Sequence, residues 1–116
     1  MYGWVNNTDN IGKLMISTDE VLEQLKQVID PEIGINIVDL GLVYDVIIEG
    51  NYVDIKMTMT TPACPLYKYL TEQAEMYLRR GIPTLKAVTV ELVWEPAWNP
   101  MMMSWDAQTL FGHHAS

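Results

Sequence analysis

The stretch LVYDVIIEGNYVDIKMTM, residues 42–59, decides the fold. Its first part, residues 42–49, is rich in Val, Ile and Tyr and predicts a β-strand. Gly50-Asn51 is typical of a two-residue hairpin loop. A second strand follows, in which apolar residues alternate with polar ones and should share one buried face: Val53, Ile55, Met57 and Met59. Asp54, Lys56 and Thr58 should take the opposite face.

A helix is predicted before this hairpin. Ser17-Thr18-Asp19-Glu20 is a capping-box pattern, and Asp30-Pro31 should stop the helix because a residue before proline avoids the α region. Apolar residues recur between them at helical spacing: Val21, Leu22, Leu25, Val28 and Ile29.

A second helix and a third strand are predicted after the hairpin. Pro65 suits a first helical turn, and Gly81 with Pro83 should end the helix. Its buried stripe should be Leu66, Leu70, Ala74, Tyr77 and Leu78. The strand, residues 86–94, should present Val88, Val90, Leu92 and Trp94 on one face. Ser104 can cap a short last helix that runs to about Leu110.

The predicted order α-β-β-α-β-α indicates an α+β, two-layer domain. We expect a small mixed three-stranded sheet with the helices packed largely on one face. The strand order stays open. With 116 residues the chain should form one domain, residues 17–112, between an N-terminal extension, residues 1–16, and a tail, residues 113–116.

Composition excludes several classes of function. The formal net charge of −8 would repel a phosphate backbone, so we expect no nucleic-acid binding. No run of about 18 apolar residues is present, and residues 1–17 lack the features of a secretory signal, so we expect no membrane span and no secretion. A single cysteine fits a reducing cytoplasm.

That cysteine, Cys64, lies in the segment TTPACP, residues 60–65, between a predicted strand and a predicted helix. At the N-cap or first turn of that helix, unpaired backbone N–H groups would stabilise a thiolate. Thr60 and Thr61 could add hydroxyl donors. Cys64 is then a nucleophile, a metal ligand or a buried small apolar residue, and position alone leaves all three open.

Two other groups of residues are candidates for a site. Asp30, Glu32 and Asp39 lie in one loop and could supply a base or an oxygen ligand, or they could form local turns. Trp and Met residues gather near the C-terminus and predict either a packed lid or a partner-binding patch. We expect Trp94 to pack on the core and consider these residues as a partner surface: Trp98, Met101 and Met102. His113 and His114 should be a solvated tail.

Four motifs together resemble the SufT/PaaD-like family of iron–sulfur (metal–sulfur) cluster assembly proteins. They are DPEIG at 30–34, NIVDLGLVY at 36–44, TTPACP at 60–65 and VWEPAWNP at 93–100. The resemblance implies a role in the maturation of iron–sulfur proteins. It places the functional cysteine of the family on Cys64, its acidic loop on Asp30, Glu32 and Asp39, and its threonine pair on Thr60 and Thr61.

A cluster generally takes four protein ligands, mostly cysteines, and this chain offers one thiol. We therefore expect a non-enzymatic accessory factor that holds no tightly bound cofactor. Cys64 would be a transient ligand of iron or of an iron–sulfur cluster, or a contact residue. The expected partners are iron–sulfur assembly or client proteins, and a homodimer would bring two thiols together.

Three alternatives stay open. The first is a PaaD-like accessory protein of an aromatic ring-oxygenase pathway. The second is an adaptor that uses the Trp/Met-rich surface and binds no metal. The third is a thiol-dependent enzyme with Asp39 or Glu32 as the base, which the lack of a histidine near Cys64 disfavours.

Overall fold

The predicted hairpin forms two of the three strands of the sheet. In a computed structural model, which describes residues 15–61 and 65–112, the elements follow the predicted order. They are α1 (Thr18–Leu25), β1 (Val43–Glu49), β2 (Tyr52–Met57), α2 (Tyr67–Gly81) and β3 (Ala87–Leu92). A 3₁₀ turn (Pro100–Met102), a short α3 (Trp105–Ala107) and a π-helical turn (Gln108–Gly112) complete the chain.

The sheet has the strand order β1-β2-β3 and is mixed, as predicted. β1 and β2 are antiparallel, with Glu49 paired to Tyr52 beside Gly50, whose φ of 61° the hairpin turn requires. β2 and β3 are parallel, and α2 makes the crossover between them. The α+β prediction is therefore confirmed, and the structure adds the strand order.

The core lies between the sheet and the helices. α1 contacts α2 and β1, and α2 contacts β3. The predicted apolar face of β2 and the stripe of α2 are completely or almost completely buried: Val53, Ile55, Met57, Met59, Leu70, Ala74 and Leu78. The strand registers place mainly polar and charged side chains, together with the apolar Ile47 and Ala87, on the opposite face. We call it the outer face, and its residues are Asp45, Ile47, Glu49, Tyr52, Asp54, Lys56, Ala87, Thr89 and Glu91.

The capping box at Ser17 is present, since Glu20 N donates to Ser17 Oγ over 3.1 Å and the Glu20 side chain accepts from Ser17 N. The prediction that α1 continues to Asp30-Pro31 is wrong, because the helix ends at Leu25. Pairing with a later segment replaces the helix: Ile37 N donates to Val28 O over 2.9 Å, and Ile29 bridges to Asn36.

Three further predictions are wrong in detail. α2 begins at Tyr67 with Leu66 as N-cap, so Pro65 lies in a turn before the helix. Thr58 is completely buried, although it follows the polar alternation of β2. Trp94 is 40% exposed because β3 ends at Leu92 and the alternation ends with it.

Within residues 15–61 and 65–112, no helix is both long and apolar enough to cross a bilayer.

Candidate functional site

Asp30, the first of the predicted acidic residues, builds a turn. Its side chain is buried, and Oδ1 accepts hydrogen bonds from Glu32 N at 2.9 Å and Ile33 N at 3.3 Å. Its backbone oxygen also accepts from Gly34 N at 2.6 Å. Glu32 is exposed at the surface of this turn. The structure thus supports the local-turn alternative for Asp30.

Asp39 likewise holds its own loop. Asn36 Nδ2 donates to Asp39 Oδ2 over 2.8 Å, and Asp39 N donates back to Asn36 Oδ1 over 2.9 Å. The Asp39 backbone oxygen accepts from Ser104 N at 2.7 Å. The loop carboxylates Asp30 and Asp39 therefore both serve to shape the chain between α1 and β1.

The segment that carries the thiol joins β2 to α2. Cys64 lies outside the described residues, as do Pro62, Ala63, His113 and His114. Before the gap, Thr60 is half-buried and Thr61 is exposed. After the gap, the N-cap of α2 is Leu66, so the helix begins later than the sequence predicted when it placed Cys64 at the N-cap or in the first turn. Leu66 makes no side-chain capping hydrogen bond to the first turn of α2.

The described parts of the chain hold no group of three His, Cys, Asp or Glu side chains placed to bind a metal ion.

The C-terminal segment, residues 95–110, folds back on the loop that precedes β1. Trp98 Nε1 donates to Leu40 O over 2.7 Å, and Tyr44 OH donates to Pro96 O over 2.7 Å. Gly41 has a φ of +80°, and a Cβ built there would lie 2.7 Å from the carbonyl carbon of Met102. Loop and segment are thus in close backbone contact, which agrees with the packed-lid alternative. No local sequence pattern predicted that the segment would dock on this loop.

A β-bulge lies where this segment meets the sheet. The register between β1 and β2 shifts between Val43 and Asp45, so Tyr44 is the additional residue. Burial raises the pKa of Tyr44, and the nearby Thr58 hydroxyl partly opposes this effect. Between the bulge and the C-terminal segment lies a groove of about 730 Å³, which we call the bulge groove. It is lined by Val38, Gly41, Val43, Tyr44, Asp45, Lys56, Val93, Glu95, Pro96 and Met102.

A charged cluster on the outer face adjoins the groove. Lys56 Nζ lies 3.2 Å from Glu91 Oε2 and 3.8 Å from Asp54 Oδ2. The neighbouring Glu91 carboxyl raises the pKa of Asp54, whereas hydrogen bonding to Asp54 and Lys56 lowers the pKa of Glu91. Asp54 Oδ1 is enclosed and accepts no hydrogen bond from residues 15–61 or 65–112. The outer face thus carries an excess of negative charge.

The predicted partner surface is divided by the fold. Trp98 is packed against the core and Met102 is half-buried, so both also support the structure. Met101 is 77% exposed, together with Trp105 at 79% and Leu110 at 73%. The exposed apolar surface of the C-terminal segment is therefore formed mainly by these three residues.

The two-layer fold with its mixed sheet defines a small α+β domain whose motifs 30–44 and 93–100 meet in space. The chain belongs to the iron–sulfur cluster assembly protein family, whose model matches residues 18–92. This confirms the resemblance seen in the four motifs.

Relatives match over most of the chain. It is 41% identical to the Fe-S protein maturation auxiliary factor SufT of Staphylococcus aureus over 86 residues, which are 73% of this chain and 97% of that one. It is 38% identical to the auxiliary factor YitW of Bacillus subtilis over 95 residues, or 81% and 92% of the two chains. A crystal structure of a domain of unknown function, DUF59, from Bacillus anthracis is similar with a TM-score of 0.78 and 38% identity, covering 82% and 91%.

Proposed function

We propose that this protein is a non-catalytic accessory factor that assists iron–sulfur cluster assembly or the transfer of clusters to client proteins. The observation that carries the proposal is the extent of the likeness to named maturation factors. The match covers 92% of YitW and 97% of the staphylococcal SufT, so it includes nearly the whole of each auxiliary factor. In an iron-sulfur cluster carrier protein of Synechocystis, the corresponding region is only 23% of the length.

In this proposal Cys64 is a transient ligand of the cargo or a contact residue for the partner. Iron–sulfur clusters generally take four protein ligands, and the chain has one cysteine. Cys64 would supply one bond while a client, an assembly protein or a second copy supplies the others. Thr60 and Thr61 would support the thiolate from the preceding turn.

The contacts of Asp39 favour an accessory role over thiol-dependent catalysis. A thiol is activated by a base within hydrogen-bond reach or by surroundings that lower its pKa. Asp39, one of the two bases considered, is instead bonded to Asn36 at 2.8 Å and shapes its own loop. Glu32, the other, is exposed on the turn that Asp30 builds.

The functional unit proposed here is residues 17–112, with residues 1–16 as an extension and 113–116 as a tail. The contacts of Trp98 with Leu40 and of Ser104 with Asp39 support including the C-terminal segment. The single thiol fits a protein that works in the cytoplasm.

A second candidate is an adaptor that binds partners without touching metal. The exposure of Met101, Trp105 and Leu110 favours it, because solvent-exposed apolar residues in one segment often mark a protein interface. The two candidates differ in whether the thiol is needed.

The test compares Cys64→Ser with Trp105→Ser in cells whose own copy of the gene is deleted. The readout is the specific activity of an iron–sulfur enzyme, together with its amount on immunoblots. We expect the deletion to lower activity per enzyme molecule and the wild-type gene to restore it. If Cys64 is a ligand, Cys64→Ser should fail to restore it. In anaerobic reconstitution with iron and sulfide, the wild type should then bind iron and Cys64→Ser should not.

Full activity with Cys64→Ser, combined with equal iron binding by both proteins, would refute the ligand role. If Trp105→Ser fails in the same cells while its unfolding midpoint is unchanged, the adaptor is favoured. An unaltered activity after gene deletion would refute the accessory function itself.

A further inference from the structure

Much of the lining of the bulge groove is apolar. Val38, Val43, Val93 and Met102 contribute to its lining, and Pro96 and Tyr44 form part of its wall. The hydrogen bond of 2.7 Å from Tyr44 OH to Pro96 O keeps that wall in place. Its volume of about 730 Å³ falls within the range of about 300–1,000 Å³ that is common for ligand sites. A preformed groove of this kind can receive an apolar side chain without rearrangement.

The rim of the groove is acidic. Asp45 and Glu95 are exposed lining residues, and neither forms an ion pair with any residue of 15–61 or 65–112. The lining residue Lys56 is already paired with Glu91 and lies close to Asp54. The helix α2, by contrast, carries more basic than acidic residues: Lys68, Arg79 and Arg80 compared with Glu72 and Glu75.

A second, smaller depression lies on the outer face. It has a volume of about 270 Å³, and its lining includes Glu49, Tyr52 and Asp54. Tyr52 is exposed, and an aromatic face beside carboxylates attracts a cation. Asp54 Oδ1 is an enclosed acceptor that finds no donor in the part of the chain that the structure describes. The negative potential therefore extends from the groove across the sheet.

We infer that the bulge groove docks a short cationic and apolar segment of a partner protein. An apolar side chain of that segment would pack on Val43 and Met102, and flanking Lys or Arg side chains would lie beside Asp45 and Glu95. The inference rests on the proposed function, because it states the chemistry by which the factor recognises an assembly or client protein.

Charge decides between the candidate occupants. A phosphate-rich ligand or an anionic membrane surface would be repelled by Asp45 and Glu95. A second copy of the chain has a net charge of −8, so association between copies is opposed at long range. A basic segment is attracted at long range, which also speeds its encounter with the groove.

The test uses the full chain labelled with ¹⁵N and an acetylated, amidated peptide Gly-Lys-Leu-Arg-Gly as the probe. The control probe is Gly-Glu-Leu-Glu-Gly. We expect saturable amide shifts of Tyr44, Asp45 and Val93 with the cationic peptide only. Affinity should fall as salt is raised from about 50 to 200 mM, because both ion pairs are exposed to solvent.

The variant pair is Asp45→Asn with Glu95→Gln, and the matched control is Glu72→Gln on α2. Asparagine keeps the acceptor for Val46 N, which Asp45 Oδ1 binds at 2.9 Å. We expect the double variant to bind the cationic peptide about 3- to 10-fold more weakly, which is the scale expected for the loss of two exposed ion pairs. Glu72→Gln should leave the affinity unchanged, and unfolding midpoints should show that both variants fold.

Four results would overturn the inference. These are no saturable shift at the groove up to millimolar peptide, an equal response to the acidic peptide, unchanged affinity of the double variant, and a dimer by sedimentation that the double variant abolishes. The last would assign the groove to a second copy. If peptide binding fails while gene deletion still impairs maturation, only the docking inference falls. If deletion has no effect, the accessory function falls whatever the peptide does.

Discussion

Replacing Gly41 by alanine should destabilise the protein through two separate effects. Gly41 has a φ of +80°, in a region where a non-glycine residue costs about 1–2 kcal/mol. The new Cβ would also lie 2.7 Å from the Met102 carbonyl carbon, and closer still to its oxygen. These two Met102 atoms belong to the backbone and cannot swing aside as a side chain would, so the C-terminal segment must move away from the loop.

The cost of the clash with Met102 depends on the hydrogen bonds that are weakened when the segment moves. The contacts concerned are Trp98 with Leu40, Tyr44 with Pro96, and Ser104 with Asp39, each a hydrogen bond of 2.7 Å. A hydrogen bond contributes about 0.5–1.5 kcal/mol net. Alanine also restricts the conformations of the unfolded chain, which offsets the loss of stability by about 0.4–1 kcal/mol. The expected loss for Gly41→Ala is about 3 kcal/mol in the free energy of unfolding.

Gly34→Ala is the matched control. Gly34 has nearly the same φ, +82°, but a Cβ there would meet no atom of the described residues within 4 Å. It should therefore show only the backbone effect, about 1 kcal/mol. Urea unfolding measures both losses, and hydrogen exchange of the Trp98 indole N–H should quicken in Gly41→Ala alone. Equal losses for the two variants, or an unchanged Trp98 exchange rate, would refute the reasoning from the Met102 contact.

The remaining predictions concern the first helix and the response to alkali. Ser17→Ala should lower the free energy of unfolding in urea by about 1 kcal/mol because it removes the acceptor for Glu20 N. Ser17→Thr retains a hydroxyl acceptor and should keep most of that stability. Equal losses for the two variants would show that the cap contributes nothing. Burial raises the pKa of Tyr44, and the Glu91 carboxylate raises the pKa of Lys56, so the folded state holds these protons more tightly. Stability should therefore be retained below about pH 10 and fall as pH rises further, and Tyr44→Phe should flatten this slope; an identical slope would contradict the assignment to Tyr44.

The local elements could be predicted because each has a signature within a few residues. The Gly50-Asn51 loop and the alternation from Val53 to Met59 predicted the hairpin and its buried face. The Ser17–Glu20 box predicted the start of α1. In each case the interaction that stabilises the element joins neighbours in the sequence, so the pattern of residue types was sufficient.

The rest depends on distant pairing. The helical pattern of Val28 and Ile29 is overridden because Val28 O accepts from Ile37 N and Ile29 bridges to Asn36. The bulge groove exists only because the segment around Pro96 returns to Tyr44, 52 positions earlier in the chain. The acidic-loop motif was ambiguous for a related reason: a carboxylate that forms a turn and one that binds a ligand look alike in sequence, and the contacts of Asp30 distinguish them.

The contacts that hold the bulge groove also hold the fold, and this determines how its residues can be studied. Leu40 and Tyr44 from the second motif bond to Trp98 and Pro96 from the fourth, and Gly41 lies against Met102. A substitution at Gly41, Tyr44, Pro96 or Trp98 therefore alters stability and groove shape together. Asp45→Asn with Glu95→Gln changes the charge of the rim and leaves those contacts in place. A loss of client maturation in that double variant, at unchanged stability, would therefore report on partner recognition, whereas the same loss in Gly41→Ala would not separate recognition from folding.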